Sequence, residues 1–125
     1  MSEDKRARDT ATAAFRRWAK LGQPDVERIR ARGYKGAADL VACCAVFVLL
    51  ESRALKQYRS NTAAGEILRA IREVYMEEPM RPLRRQEVTL RVRRLAGERY
   101  VSERRVYEWL RIARNMWWKY RNTQY

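Results

Sequence analysis

A chain of 125 residues is long enough to bury one core and too short for two independent ones. Its composition, 46% apolar and 34% charged with five glycines and three prolines, excludes a disordered or fibrous chain. The net charge of +13 calls for a polyanionic partner, with nucleic acid, double-stranded DNA included, ahead of an acidic membrane surface; the plainer reading is a set of solvated arginine-rich faces with no partner. The first ten residues, "MSEDKRARDT", lack the apolar stretch of a secretory signal, so a cytoplasmic location is expected. Next, "ATAAFRRWAKL" (11–21) sets Phe15, Trp18 and Leu21 three apart, which predicts a short amphipathic helix ending at "GQP". Residues 25–32 have room for another turn or two before Gly33 and Gly36.

The run "LVACCAVFVLL" (40–50) continues into "ESRALKQY", where Leu55 and Tyr58 keep helical spacing, so one helix is predicted over 38–58. Eleven apolar residues fall well short of the roughly 20 needed to cross a bilayer, and no membrane association is expected. Two readings stay open: a central, nearly fully buried helix, or a helix whose spare apolar side meets a second subunit, as in a homodimer. "SNTAAG" offers a break and an N-cap at Asn61 or Thr62. Ile67, Leu68, Ile71, Val74 and Tyr75 then share one face of a further helix.

Two prolines make 79–83 a stiff connector. Beyond it, Val88, Val92, Leu95 and Ala96 form one stripe amid arginines, and a last helix is predicted from Ser102 to about Tyr120. The charge is uneven across that connector: residues 1–78 carry 15 basic and 11 acidic side chains, and residues 79–125 carry 13 and 4. The chain therefore divides into an N-terminal helical part, 1–78, and a basic C-terminal part, 79–125, within one compact all-α unit.

Chemistry is hard to find. The sequence has no histidine, which removes the commonest general base and metal ligand, and no glycine-rich phosphate loop or acid–base carboxylate pair takes its place. Cys43 and Cys44 are adjacent, and neighbouring helical residues point about 100° apart, so they form neither a framework disulfide nor half of a zinc site. They read as small core residues. No catalytic residue, metal or cofactor is expected, and the chain is not read as an enzyme.

The last helix carries the functional signal. On its wheel Val106, Leu110, Ala113, Trp117 and Tyr120 fall on one side, with Trp109 and Met116 at a flank. The opposite sector holds Glu103, Arg104, Tyr107, Glu108, Arg111, Arg114, Asn115 and Trp118, residue types that hydrogen-bond base edges and phosphates. Small Ala96 lets two helices cross closely, and the Ala96, Val101, Val106 spacing resembles that of a helix-turn-helix, with Ser102 able to cap the second helix. Tyr100 stands where such a motif ordinarily has a turn glycine, and Gly97 lies three residues earlier, so a slightly lengthened turn is expected.

The segment "RAIREVYMEEPMRPLRRQEVTLRVRRLAGERYVSERRVYEWLRIAR", above all "SERRVYEWLRIAR" with "RPLRRQEV", resembles the C-terminal half of small phage and prophage transcriptional regulators of the ArpU and RinA type. Their helix-turn-helix is in turn similar to region 4 of sigma-70 factors. The resemblance covers roughly residues 67 to 118, is weaker over "AFRRWAKLG", and does not extend to the apolar run. It implies promoter or operator binding, with Ser102, Glu103, Arg104, Tyr107, Glu108 and Arg111 as groove-facing, base-reading positions. The arginines Arg84, Arg85, Arg91, Arg93 and Arg94, with Arg105, Arg114 and Asn115, are the candidates for phosphate contact. Similar motifs occur in phage DNA-packaging and recombination adaptors, which is the neighbouring reading. A helical protein-interaction module, contacting a second subunit or RNA polymerase through the apolar run and Trp118, is the reading from another class.

Overall fold

The computed structural model describes residues 4–56 and 63–123, and all regular structure among these is helical. In chain order the helices are α1 (Lys5–Lys20), α2 (Val26–Arg32), α3 (Ala37–Leu55), α4 (Ala64–Ala70), α5 (Arg85–Arg99) and α6 (Glu103–Thr123). α4 runs on without interruption into a π-helical segment, Ile71–Met76. Tyr58 and the expected caps Asn61 and Thr62 lie outside the described residues.

α1 begins earlier than its apolar stripe suggests. The Asp4 carboxylate accepts from the Ala7 N–H at 2.7 Å, an N-cap that starts the helix six residues before the apolar pattern is readable. Asp25 caps α2 in the same way through the Arg28 N–H, and Gly33 closes it in the left-handed region at φ 61°.

α3 lies at the centre: Leu40, Ala42, Cys43, Cys44, Val46, Phe47 and Leu50 are buried, and both cysteines are free. Burial pushes both thiols above their ordinary range, and the Cys44 Sγ donates to the Pro24 carbonyl at 3.1 Å. One stripe of the same helix is uncovered among the described residues, with Val48 68% and Leu55 84% exposed. α3 is thus a core helix that keeps a spare apolar side. The buried side chains of all six helices form one cluster, in which Trp18 meets Phe47 edge to face at 4.7 Å between ring centroids. The Trp117 indole N–H donates to the Asp39 carbonyl at 3.1 Å, tying α6 to α3.

The π-helical segment organises the other end of the molecule. A helix terminus leaves carbonyls that its own backbone cannot satisfy, and here two arginines from different helices take them. Arg16 of α1 donates to the carbonyls of Tyr75 at 2.6 Å and Glu78 at 2.9 Å. Arg91 of α5 donates to those of Val74 at 2.9 Å and Glu77 at 3.2 Å. Desolvation lowers the Arg16 pKa from its ordinary value, with the charge of Arg91 adding to it. α1 and α5 are thus held on either side of one chain segment.

The turn between α5 and α6 is three residues, Tyr100 to Ser102, and not lengthened. α5 continues through Gly97 to Arg99, and Tyr100 itself takes the left-handed conformation at φ 55°. The Val101 N–H returns to the Ala96 carbonyl at 3.0 Å, the wide closing bond of a Schellman-type stop.

Candidate nucleic-acid interface

α6 starts where Ser102 ends the turn. The Ser102 Oγ accepts from the Arg105 N–H at 3.1 Å, so this side chain serves as the N-cap as well as standing at the helix tip. From there the inner stripe of Val106, Trp109, Leu110, Ala113 and Trp117 is buried, which fixes the helix about its axis. The outer stripe follows from that phase: Arg104, Glu108, Arg111 and Asn115 are exposed along one line, with Glu103, Arg105 and Tyr107 exposed beside it.

This outer face borders a groove of about 920 Å³ whose other walls are the first turns of α1 and the start of α5. Six cations line it, Lys5, Arg8, Arg85, Arg104, Arg111 and Arg114, against two carboxylates, Asp9 and Glu108. Tyr75, Leu83 and Val88 give it an apolar floor. The field in the groove is therefore strongly positive, and low-dielectric walls focus it.

The C-terminal arginines divide by pairing. Arg81 binds Glu78 at 2.8 Å and Glu87 at 2.6 Å, Arg99 binds Glu66 at 2.6 Å, and Arg94 binds Glu77 at 3.2 Å. The hydrogen bonds from Arg81 hold Glu78 and Glu87 below the usual carboxylate range. Arg93 stands 3.8 Å from Glu103. Arg84, Arg85, Arg104, Arg105 and Arg111 carry no ion pair among the described residues and are exposed.

Two expected phosphate contacts are corrected. Arg91 and Arg114 are each only 7% exposed. Arg91 is spent on the π-segment carbonyls and stands 3.5 Å from Glu87, and Arg114 donates to the Tyr75 hydroxyl at 2.6 Å. Both are structural ties. A signal for this was present: Arg91 falls three residues after Val88 and four before Leu95, and Arg114 four after Leu110 and three before Trp117, so each shares the apolar stripe. Trp118 is corrected too. It is half-buried, and its indole N–H donates to the Ala7 carbonyl of α1 at 3.0 Å.

The cations missed from the sequence are Lys5 and Arg8, which reach the groove only because α1 starts at Lys5 and docks against α6. Among the described residues no cluster of three or more His, Cys, Asp or Glu side chains could hold a metal, and no helix is long and apolar enough to cross a membrane. No family model, curated protein or solved structure matches the chain.

Proposed function

We propose that this chain is a sequence-specific DNA-binding transcriptional regulator of the phage or prophage kind, acting by docking and not by bond chemistry. The observation that carries the reading is that Arg104, Arg105 and Arg111 on the exposed side of α6, like Arg84 and Arg85 at the start of α5, have no ion pair among the described residues, while Arg81, Arg94 and Arg99 are bound by carboxylates. Arginines left without carboxylates at a helix tip suit phosphates and guanine edges. The N-terminal half of α6 would enter the major groove, with Arg104, Glu108 and Arg111 reading bases and Arg84 and Arg85 setting register on phosphates.

The same interface would serve a DNA-packaging or recombination adaptor, and genome neighbourhood separates those roles. The exposed Val48 and Leu55 of α3 favour a second reading, a helical module contacting another subunit or RNA polymerase. A salt titration distinguishes DNA from protein docking. For a DNA-binding chain, affinity for random duplex falls steeply as salt rises, because each neutralised phosphate releases counterions. A flat dependence, or no binding, would leave the interaction module as the better account.

A further inference from the structure

We infer that α1 is part of the DNA interface: the sugar-phosphate backbone of one strand lies in the groove between α1 and α5, gripped by Lys5 and Arg8 from one side and Arg85 from the other. This rests on the DNA reading of α6 and adds a contact that its helix-turn-helix segment does not contain.

Four observations carry it. Lys5 and Arg8 are one helical turn apart, line the same groove as Arg104 and Arg111, and have no ion pair among the described residues. Their helix is held at the groove by bonds at both ends, the Trp118 indole N–H to the Ala7 carbonyl and Arg16 to the carbonyls around the π segment. The groove is a channel beside the outer face of α6, with an apolar floor of Leu83 and Val88 suited to sugar rings and cations above it. The two carboxylates do not cancel this charge: Asp9 and Glu108 stand against Lys5, Arg8, Arg85, Arg104 and Arg111 on the open walls. A concave strip with a charged rim accepts one backbone strand. A helix whose outer face stands beside that strip has the adjoining base edges within reach.

The test compares two charge-matched double variants of the full chain on the same duplex DNA: Lys5→Gln with Arg8→Gln in the groove, and Arg28→Gln with Arg32→Gln on α2, whose exposed arginines line no part of it. Helix content by circular dichroism checks that both are folded. For the groove pair, the slope of log affinity against log salt becomes shallower by about 1.8, two lost contacts at roughly 0.9 each, with equal losses on preferred and random sequences; the α2 pair leaves the slope as in the parent. Acetylation footprinting of the parent gives an independent readout, with Lys5 protected by DNA and Lys20 and Lys35 not. Equal slopes for the two double variants, or an unprotected Lys5 in a parent that binds DNA with a steep slope, would overturn the role of α1 and leave α6 as the reading element. A parent with no salt-dependent binding overturns both.

Discussion

Trp117 and Trp118 are neighbours in sequence whose rings meet edge to face at 4.9 Å, yet they do different work. Trp117 is 1% exposed and donates to the Asp39 carbonyl, so replacing it with alanine removes a large core side chain and leaves that carbonyl without its indole donor. The expected cost is about 3 to 5 kcal/mol, read from denaturant unfolding; Trp118→Ala, at a half-buried site, should cost less than half as much. Equal losses would mean that α6 is rotated from the phase described. Tyr100 presents the opposite case. It is 96% exposed with φ at 55°, where an aromatic side chain gains little packing and strains its backbone. Tyr100→Gly should therefore raise stability by roughly 1 kcal/mol, and a fall in stability would show that the ring makes a contact of its own. The stripe ending at Trp117 was legible because apolar residues at every third or fourth place mark the buried face of a helix. Arg91 and Arg114 sit in that same rhythm, which marks them for the buried side, but their partners were not legible, because these are carbonyls and a hydroxyl from residues 14 to 39 positions away.

Among the elements, the π segment and its two arginines decide how α1 and α5 flank the groove. Removing the Arg91 guanidinium orphans carbonyls that are capped from inside the protein, so Arg91→Met should destabilise the fold by about 1.5 to 3 kcal/mol, the range for hydrogen bonds from a charged donor. It should leave the salt slope of DNA binding unchanged, because Arg91 faces carbonyls; a shallower slope with unchanged stability would return it to the phosphate-contacting set. The Arg81 pair adds a pH dependence with a definite sign. Glu78 and Glu87 are held below the ordinary carboxylate value of 4.5, so their contribution is complete above that pH and fades as pH falls through their lower folded values. An acid unfolding series should show a shallower acid limb for the Glu78→Gln, Glu87→Gln double variant than for the parent. Parallel limbs would mean that the exposed network around Arg81 is fully screened by solvent. Periodicity revealed most helix centres, but not the first turn of α1, whose residues 5–10 hold only Ala7 as an apolar residue and are organised by the Asp4 cap. The turn before α6 is shorter than its residues suggest because Gly97, the expected place for a left-handed residue, stays helical while Tyr100 takes that conformation.

For the molecule as a whole, the charge imbalance across the connector was visible in the sequence, but its geography was not. The C-terminal excess divides into carboxylate-paired arginines, the buried ties Arg91 and Arg114, and exposed arginines with no ion pair among the described residues, of which Arg85, Arg104 and Arg111 share the groove with Lys5 and Arg8 of α1. Which cations are bare depends on which helices meet, and neither composition nor helical phase carries that information. The apolar run of α3 was legible as a helix either buried or with a spare apolar side, and the packing shows both features at once. That the spare side includes Val48 and Leu55 emerged only from the packing. A selected-site binding assay on the parent and on folded Arg104→Ala, Arg111→Ala, Arg84→Ala and Arg85→Ala variants tests most directly the proposal that the exposed side of α6 reads DNA sequence. Loss of Arg104 or Arg111 should reduce discrimination between the selected site and random DNA by about 1 to 3 kcal/mol, the worth of a bidentate contact to guanine. Loss of Arg84 or Arg85 should weaken both alike, as a phosphate contact does. An unchanged sequence preference after both Arg104 and Arg111 are removed from a folded protein would contradict the assignment of α6 as the reading helix.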